Sequence, residues 1–126
     1  MKYAFENLEV WNDSRKLISE IYKVSAAFPT EELYGITAQI RRAALSISLN
    51  IVEGSSRITK KDQANFYKIA YSSATEVLGA LFIAVDLDFL NEEQFNTIRL
   101  KIEKITWAFA ENRRSPPRRS QPRCLQ

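Results

Sequence analysis

The chain contains no histidine. That removes Ser–His and Cys–His nucleophile pairs and the commonest general base. It also removes the Glu-x-x-His pairs with which helical bundles hold two iron atoms. The single cysteine, Cys124, can form neither an intrachain disulfide nor a zinc site, which fits a reducing, cytoplasmic setting. The N-terminal MKYAFENLEV lacks the apolar run of a signal peptide, in line with that location. The three glycines, at 35, 54 and 79, are too scattered for a phosphate-cradling loop. No cofactor and no metal are expected, and only carboxylates are left for catalysis. The protein is therefore expected not to be an enzyme.

The scarcity of turn-formers also bears on fold. Three of the four prolines lie in the last eleven residues. The rest of the chain must consist of long elements with few turns, which favours helices over a many-stranded sheet. A length of 126 residues fits one domain. The longest apolar-rich stretch, VLGALFIAVDLDFL, is too short and too charged to span a bilayer, so no membrane association is expected.

Four segments have helical periodicity. The first runs from about Asn7 to Ala27, with Val10, Ser14, Leu17, Ile21, Val24 and Phe28 on one stripe, and Pro29 stops it. Thr30 is a candidate cap for the second, with Glu31 and Glu32 in its first turn and a stripe of Ile36, Ile40, Ala43, Ile47, Ile51 and Gly54. Thr59 is the candidate cap of the third, which carries Tyr67, Ala70, Ala74, Val77, Leu81 and Val85 to about Leu87. Asn91 with Gln94 has the spacing of a capping box for the fourth. There Phe95, Ile98, Ile102, Ile105 and Phe109 repeat at alternating spacings of three and four. Similar helices of about 30 Å on short links predict an all-α, antiparallel up-down-up-down four-helix bundle over residues 1–112. The remainder, 113–126, is Arg- and Pro-rich without periodicity and is expected to be a disordered basic tail.

The stretch ALSISLNIVEGSSR alternates like a strand, yet no turn signal separates it from the helical ITAQIRRAA before it. Wound as a helix, Ile47 and Ile51 continue the core stripe, while Leu45, Leu49 and Val52 fall on the opposite side. The third segment has a similar surplus in Ile69, Ala80, Ile83 and Leu87, with Glu76 among them. A bundle buries one face per helix, so these second faces predict a subunit interface built from Leu45, Leu49, Val52, Ile69, Glu76 and Ile83. Asn50 lies at the edge of the core stripe and is expected to be a hydrogen-bonded structural residue. Glu53 with Arg57 is a well-oriented i, i+4 pair.

Charge is uneven. Removing the five arginines of 113–126 leaves 13 basic residues against 15 acidic ones, so the body carries −2 although the whole chain carries +3. Basic residues concentrate between Arg41 and Lys68, where Arg41, Arg42, Arg57, Lys60, Lys61 and Lys68 face only Glu53 and Asp62 in opposition. Multiplied around a ring of subunits, these residues would form a basic belt able to hold phosphates. No base-reading motif accompanies them.

FENLEVWNDSRKL, FPTEELYGITAQIRRAALSISLNIVEGSSR and FYKIAYSSATEVLGAL together resemble the bacterial four-helix bundle family, also called the S23 or 23S rRNA intervening-sequence protein family. Gln39-Ile40-Arg41-Arg42-Ala43-Ala44 and Asn50-Ile51-Val52-Glu53-Gly54 are the most specific parts. The resemblance implies a ring-shaped homopentamer with no established enzymatic activity. It also implies a similarity in fold to the accessory variability proteins of diversity-generating retroelements, which bind nucleic acid and a reverse transcriptase. The expected function is that of a non-enzymatic oligomeric bundle binding RNA or DNA through its basic surface. The alternative is a scaffold or adaptor for a protein partner.

Overall fold

A computed structural model describes residues 1–113. Helix α1 spans Glu9–Ser25, α2 spans Ile36–Ser55, α3 spans Lys60–Asp86 and α4 spans Glu92–Arg113. Short 3-10 turns at Ala4–Asn7 and Thr30–Glu32 precede α1 and α2, and no strand occurs among the described residues. Each helix packs on the next, and α4 returns to α1. The diagonal pairs, α1 with α3 and α2 with α4, do not approach each other. That cyclic order is the up-down-up-down four-helix bundle. Of the segment expected as a tail, Arg113 is the last residue of α4, and 114–126 lie outside the described residues.

The core is the sum of one stripe per helix. Leu17, Ile21 and Val24 from α1 meet Ile40, Ala43, Ala44, Ile47 and Ile51 from α2. Ala70, Ala74, Val77, Leu81 and Ala84 come from α3, and all five expected residues of α4 are buried. The inner position near the end of α3 falls to Ala84 rather than Val85, which is only half-buried. The most extensive packing is between α2 and α3. Both turn small residues inward there, Ala43, Ala44, Ser48 and Gly54 on one side and Ala70, Ser73 and Ala74 on the other. Small contact residues let helix axes come close. At Gly54 a Cβ would stand 2.5 Å from Cε1 of Tyr67, so the glycine makes room for that ring.

The helix ends follow local chemistry. Thr59 Oγ1 accepts the Asp62 N–H at 3.1 Å. Asn91 Oδ1 accepts the Gln94 N–H at 2.8 Å, and Gln94 Oε1 accepts the Asn91 N–H at 3.0 Å, a complete capping box. At the end of α3 the Phe89 N–H reaches the Ala84 carbonyl at 2.8 Å and the Asp88 N–H the Val85 carbonyl at 3.0 Å. This is a Schellman motif with Asp88 in the left-handed position, φ 62°.

The start of α2 departs from expectation. Thr30 does not cap it; the chain first makes the 3-10 turn, and α2 begins only at Ile36. Gly35 is the reason, because its backbone (φ −106°, ψ −119°) is non-helical and glycine resists helical winding. Glu32 then folds back over it, and its Oε1 accepts the Ile36 N–H at a long 3.5 Å.

By length and hydropathy, α3 matches the dimensions of a membrane span. In this bundle it supplies five core residues and carries Lys68 and Glu76 on its exposed surface.

Candidate functional site

The outward side of α2 is apolar, as its spacing requires. Leu45 is 38% exposed and Leu49 60%, while Val52 is half-buried. Leu45 and Leu49 line a shallow groove of about 670 Å³ whose wall is completed by Leu33, Tyr34 and Ala38, with Arg41 and Arg42 at its edge. Tyr34 is almost fully exposed at 92%. Leu33 and Tyr34 escape the sequence reading because a continuous helix from Thr30 would have aimed them elsewhere. The non-helical Gly35 is the signal that could have revealed them.

The outer side of α3 carries Ile69, Ile83 and Leu87, each about half exposed, around a half-buried Ala80. Glu76 lies among them and accepts a hydrogen bond from Gln39 Nε2 at 2.9 Å. Gly79, one turn before Ile83, has nothing within 4 Å of where a Cβ would be. Phe82 is also exposed and was not anticipated. Its ring packs against Phe95 at 4.8 Å between centroids, with the Arg99 guanidinium 5.6 Å away.

The polar residues act locally. Asn50 Nδ2 donates to the Ser46 carbonyl at 2.8 Å and to Ser46 Oγ at 3.1 Å. Ser73 Oγ donates to the same Ser46 Oγ at 2.8 Å, so Asn50, Ser46 and Ser73 form a part-buried chain from α2 to α3. Glu53 pairs with Arg57 at 3.0 Å, and the Arg57 guanidinium lies 4.6 Å over the Phe66 ring. No buried side-chain nitrogen or oxygen among the described residues lacks a partner.

The basic residues separate into two groups. Arg57, Lys60, Lys61 and Lys68 are exposed at and beyond the α2–α3 turn, with Lys61 and Lys68 on one face of α3 two turns apart. Arg41 and Arg42 lie near the opposite end of α2, about 20 Å away along its axis at 1.5 Å per residue. Arg42 is exposed. Arg41 is half-buried and engaged: its Nε donates to Ser25 Oγ at 2.8 Å, its Nη2 to the Tyr22 carbonyl at 3.4 Å, and its guanidinium covers the Tyr22 ring at 4.6 Å. It thereby serves the C-terminal turn of α1, where carbonyls and the helix dipole favour a cation.

On the far side, Lys104 of α4 bridges Asp13 at 3.2 Å and Glu9 at 3.3 Å on α1. Hydrogen bonds to Asp13 and then Glu9 hold its pKa above the ordinary lysine value. Burial raises that of the Tyr67 phenol. Among the described residues no group of three or more His, Cys, Asp or Glu side chains could hold a metal ion. What the molecule offers is two uncovered apolar faces and a basic end, which is equipment for binding.

The comparisons agree in fold. The crystal structure of a protein with unknown function from the S23 ribosomal protein family of Bacteroides thetaiotaomicron VPI-5482 matches with a TM-score of 0.76 and 22% identity, covering 84% of this chain and 99% of that one. No curated protein matches. The family model for the 23S rRNA-intervening sequence protein matches residues 6–109, nearly the whole bundle from the turn before α1 to the last core residue of α4. On that match the chain belongs to the 23S rRNA-intervening sequence protein family.

Proposed function

We propose that this protein is a non-catalytic bundle that assembles with copies of itself and binds RNA through the lysines beside the α2–α3 turn. The observation that supports assembly is the uncovered apolar surface of α2 and α3, above all Leu45, Leu49, Ile69 and Ile83. Fully burying a side chain of this size stabilises by about 1.5–3 kcal/mol, so several together favour association strongly. The family resemblance sets five as the expected number of subunits. In such a ring, Lys60, Lys61 and Lys68 recur once per subunit and form a basic belt, with phosphate contacts weakening as salt rises.

Sedimentation velocity at micromolar concentration tests the first half, and a monomer there overturns it. Gel shifts with a single-stranded RNA at low and moderate salt test the second. Binding should fall steeply with salt and drop at least tenfold in a Lys60→Ala/Lys61→Ala double variant. Absence of binding at low salt by an intact assembly overturns the RNA reading and favours the adaptor, whose docking place would be the α2 groove.

A further inference from the structure

We propose that the α2 groove receives the outward α3 stripe of a second copy, so that unlike surfaces join head to tail with Arg42 of one copy set against Glu76 of the next. This rests on the self-association proposed above and names its two halves.

Each half lacks what the other has. The groove presents Leu33, Tyr34, Leu45 and Leu49 beside Arg42, and no ion pair engages Arg42 among the described residues. Its occupant must therefore be apolar and carry an acid. On α3, Ile69, Ala80, Ile83 and Leu87 supply the apolar line, and Glu76 is the one acidic residue between Asp62 and Asp86. The Glu76 contact to Gln39 is with a neutral amide, so its charge is uncompensated by a cation within the described residues. Gly79 leaves open space between Glu76 and Ile83, which lets a neighbouring helix come close.

The rival occupants fit less well. The segment 114–126 carries Arg114, Arg118, Arg119 and Arg123 with no acid, the same sign as the groove's edge. It also follows α4 at the end of the bundle opposite Leu33 and Tyr34. A two-fold pairing of groove with groove would bring Arg42 toward Arg42, and one of stripe with stripe would bring Glu76 toward Glu76. Like charges brought together oppose association. Joining unlike surfaces avoids both, and repeated head to tail it closes into a ring when the rotation allows.

Two variants separate these arrangements, each with a charge in one apolar half: Leu49→Asp in the groove and Ile83→Asp on the stripe. Circular dichroism verifies that both are folded. Sedimentation should show each alone as a monomer, and their equimolar mixture as a 1:1 dimer that grows no further, because only one intact groove meets one intact stripe. Single variants that remain dimers through the untouched patch overturn the proposal while leaving self-association standing. A wild-type monomer overturns both. Charge reversal gives an independent reading. Arg42→Glu and Glu76→Arg should each weaken assembly at least tenfold, and the double variant should recover to within a few-fold of wild type. A double variant no better than the singles overturns the Arg42–Glu76 pairing.

Discussion

Tyr67 is pressed between Gly54, where a Cβ would stand 2.5 Å from its ring, and Phe109, whose centroid lies 5.8 Å from its own. With an aromatic ring behind it, Tyr67 has little room to yield. Overpacking of this kind costs about 1–3 kcal/mol, against about 1 kcal/mol gained from alanine's helix propensity. Gly54→Ala should therefore lower stability in a denaturant melt, by up to about 2 kcal/mol. Gly79→Ala, with nothing within 4 Å, should raise the stability of the isolated subunit by about 1 kcal/mol. Asp88 holds φ 62°, a conformation glycine adopts freely, so Asp88→Gly should stabilise by about 0.5–1 kcal/mol in the same melt. At this scale the sequence was legible where spacing decides and opaque where the third dimension does. Asn50 announced a structural role through its place on the stripe. Arg41 looked equivalent to Arg42, and nothing in the order of residues says that one is tied to Ser25 and Tyr22 while the other stands exposed.

Helix ends were legible when their chemistry is local. Thr59 with Asp62, and Asn91 with Gln94, need only three residues' separation to find each other. Asn91→Ala removes the acceptor for the Gln94 N–H and should destabilise by about 1 kcal/mol, read by equilibrium unfolding, with hydrogen exchange quickening first at the start of α4. The beginning of α2 misled for the same reason. Thr30, Glu31 and Glu32 have the composition of a first helical turn, but Gly35 interrupts the winding before α2 is established. The second apolar faces of α2 and α3 were legible from their period, because a residue opposite a core stripe must point outward. Phe82 was not, since it belongs to neither stripe and faces Phe95 across the bundle.

For the molecule as a whole, the α1–α4 edge has a pH signature. Lys104 binds its proton more tightly in the folded chain than in the unfolded one, and so does Tyr67. Both contributions are fully present below about pH 10, near the ordinary values of these groups, and are lost as pH rises through the raised values. The thermal midpoint should fall above that pH, and Asp13→Asn should flatten part of the fall by removing the first partner of Lys104. Three of the four helix–helix edges join consecutive segments, whereas α1 with α4 joins the first to the last. That edge has the longest loop to close and therefore the greatest entropic delay. During synthesis α2 and α3 can pair early, but Leu17 and Ile21 must wait for Ile98, Ile102 and Phe109 to leave the ribosome before water is shut out. Until then the nascent chain displays inner and outer grease together, and a chaperone would meet it in that half-closed form.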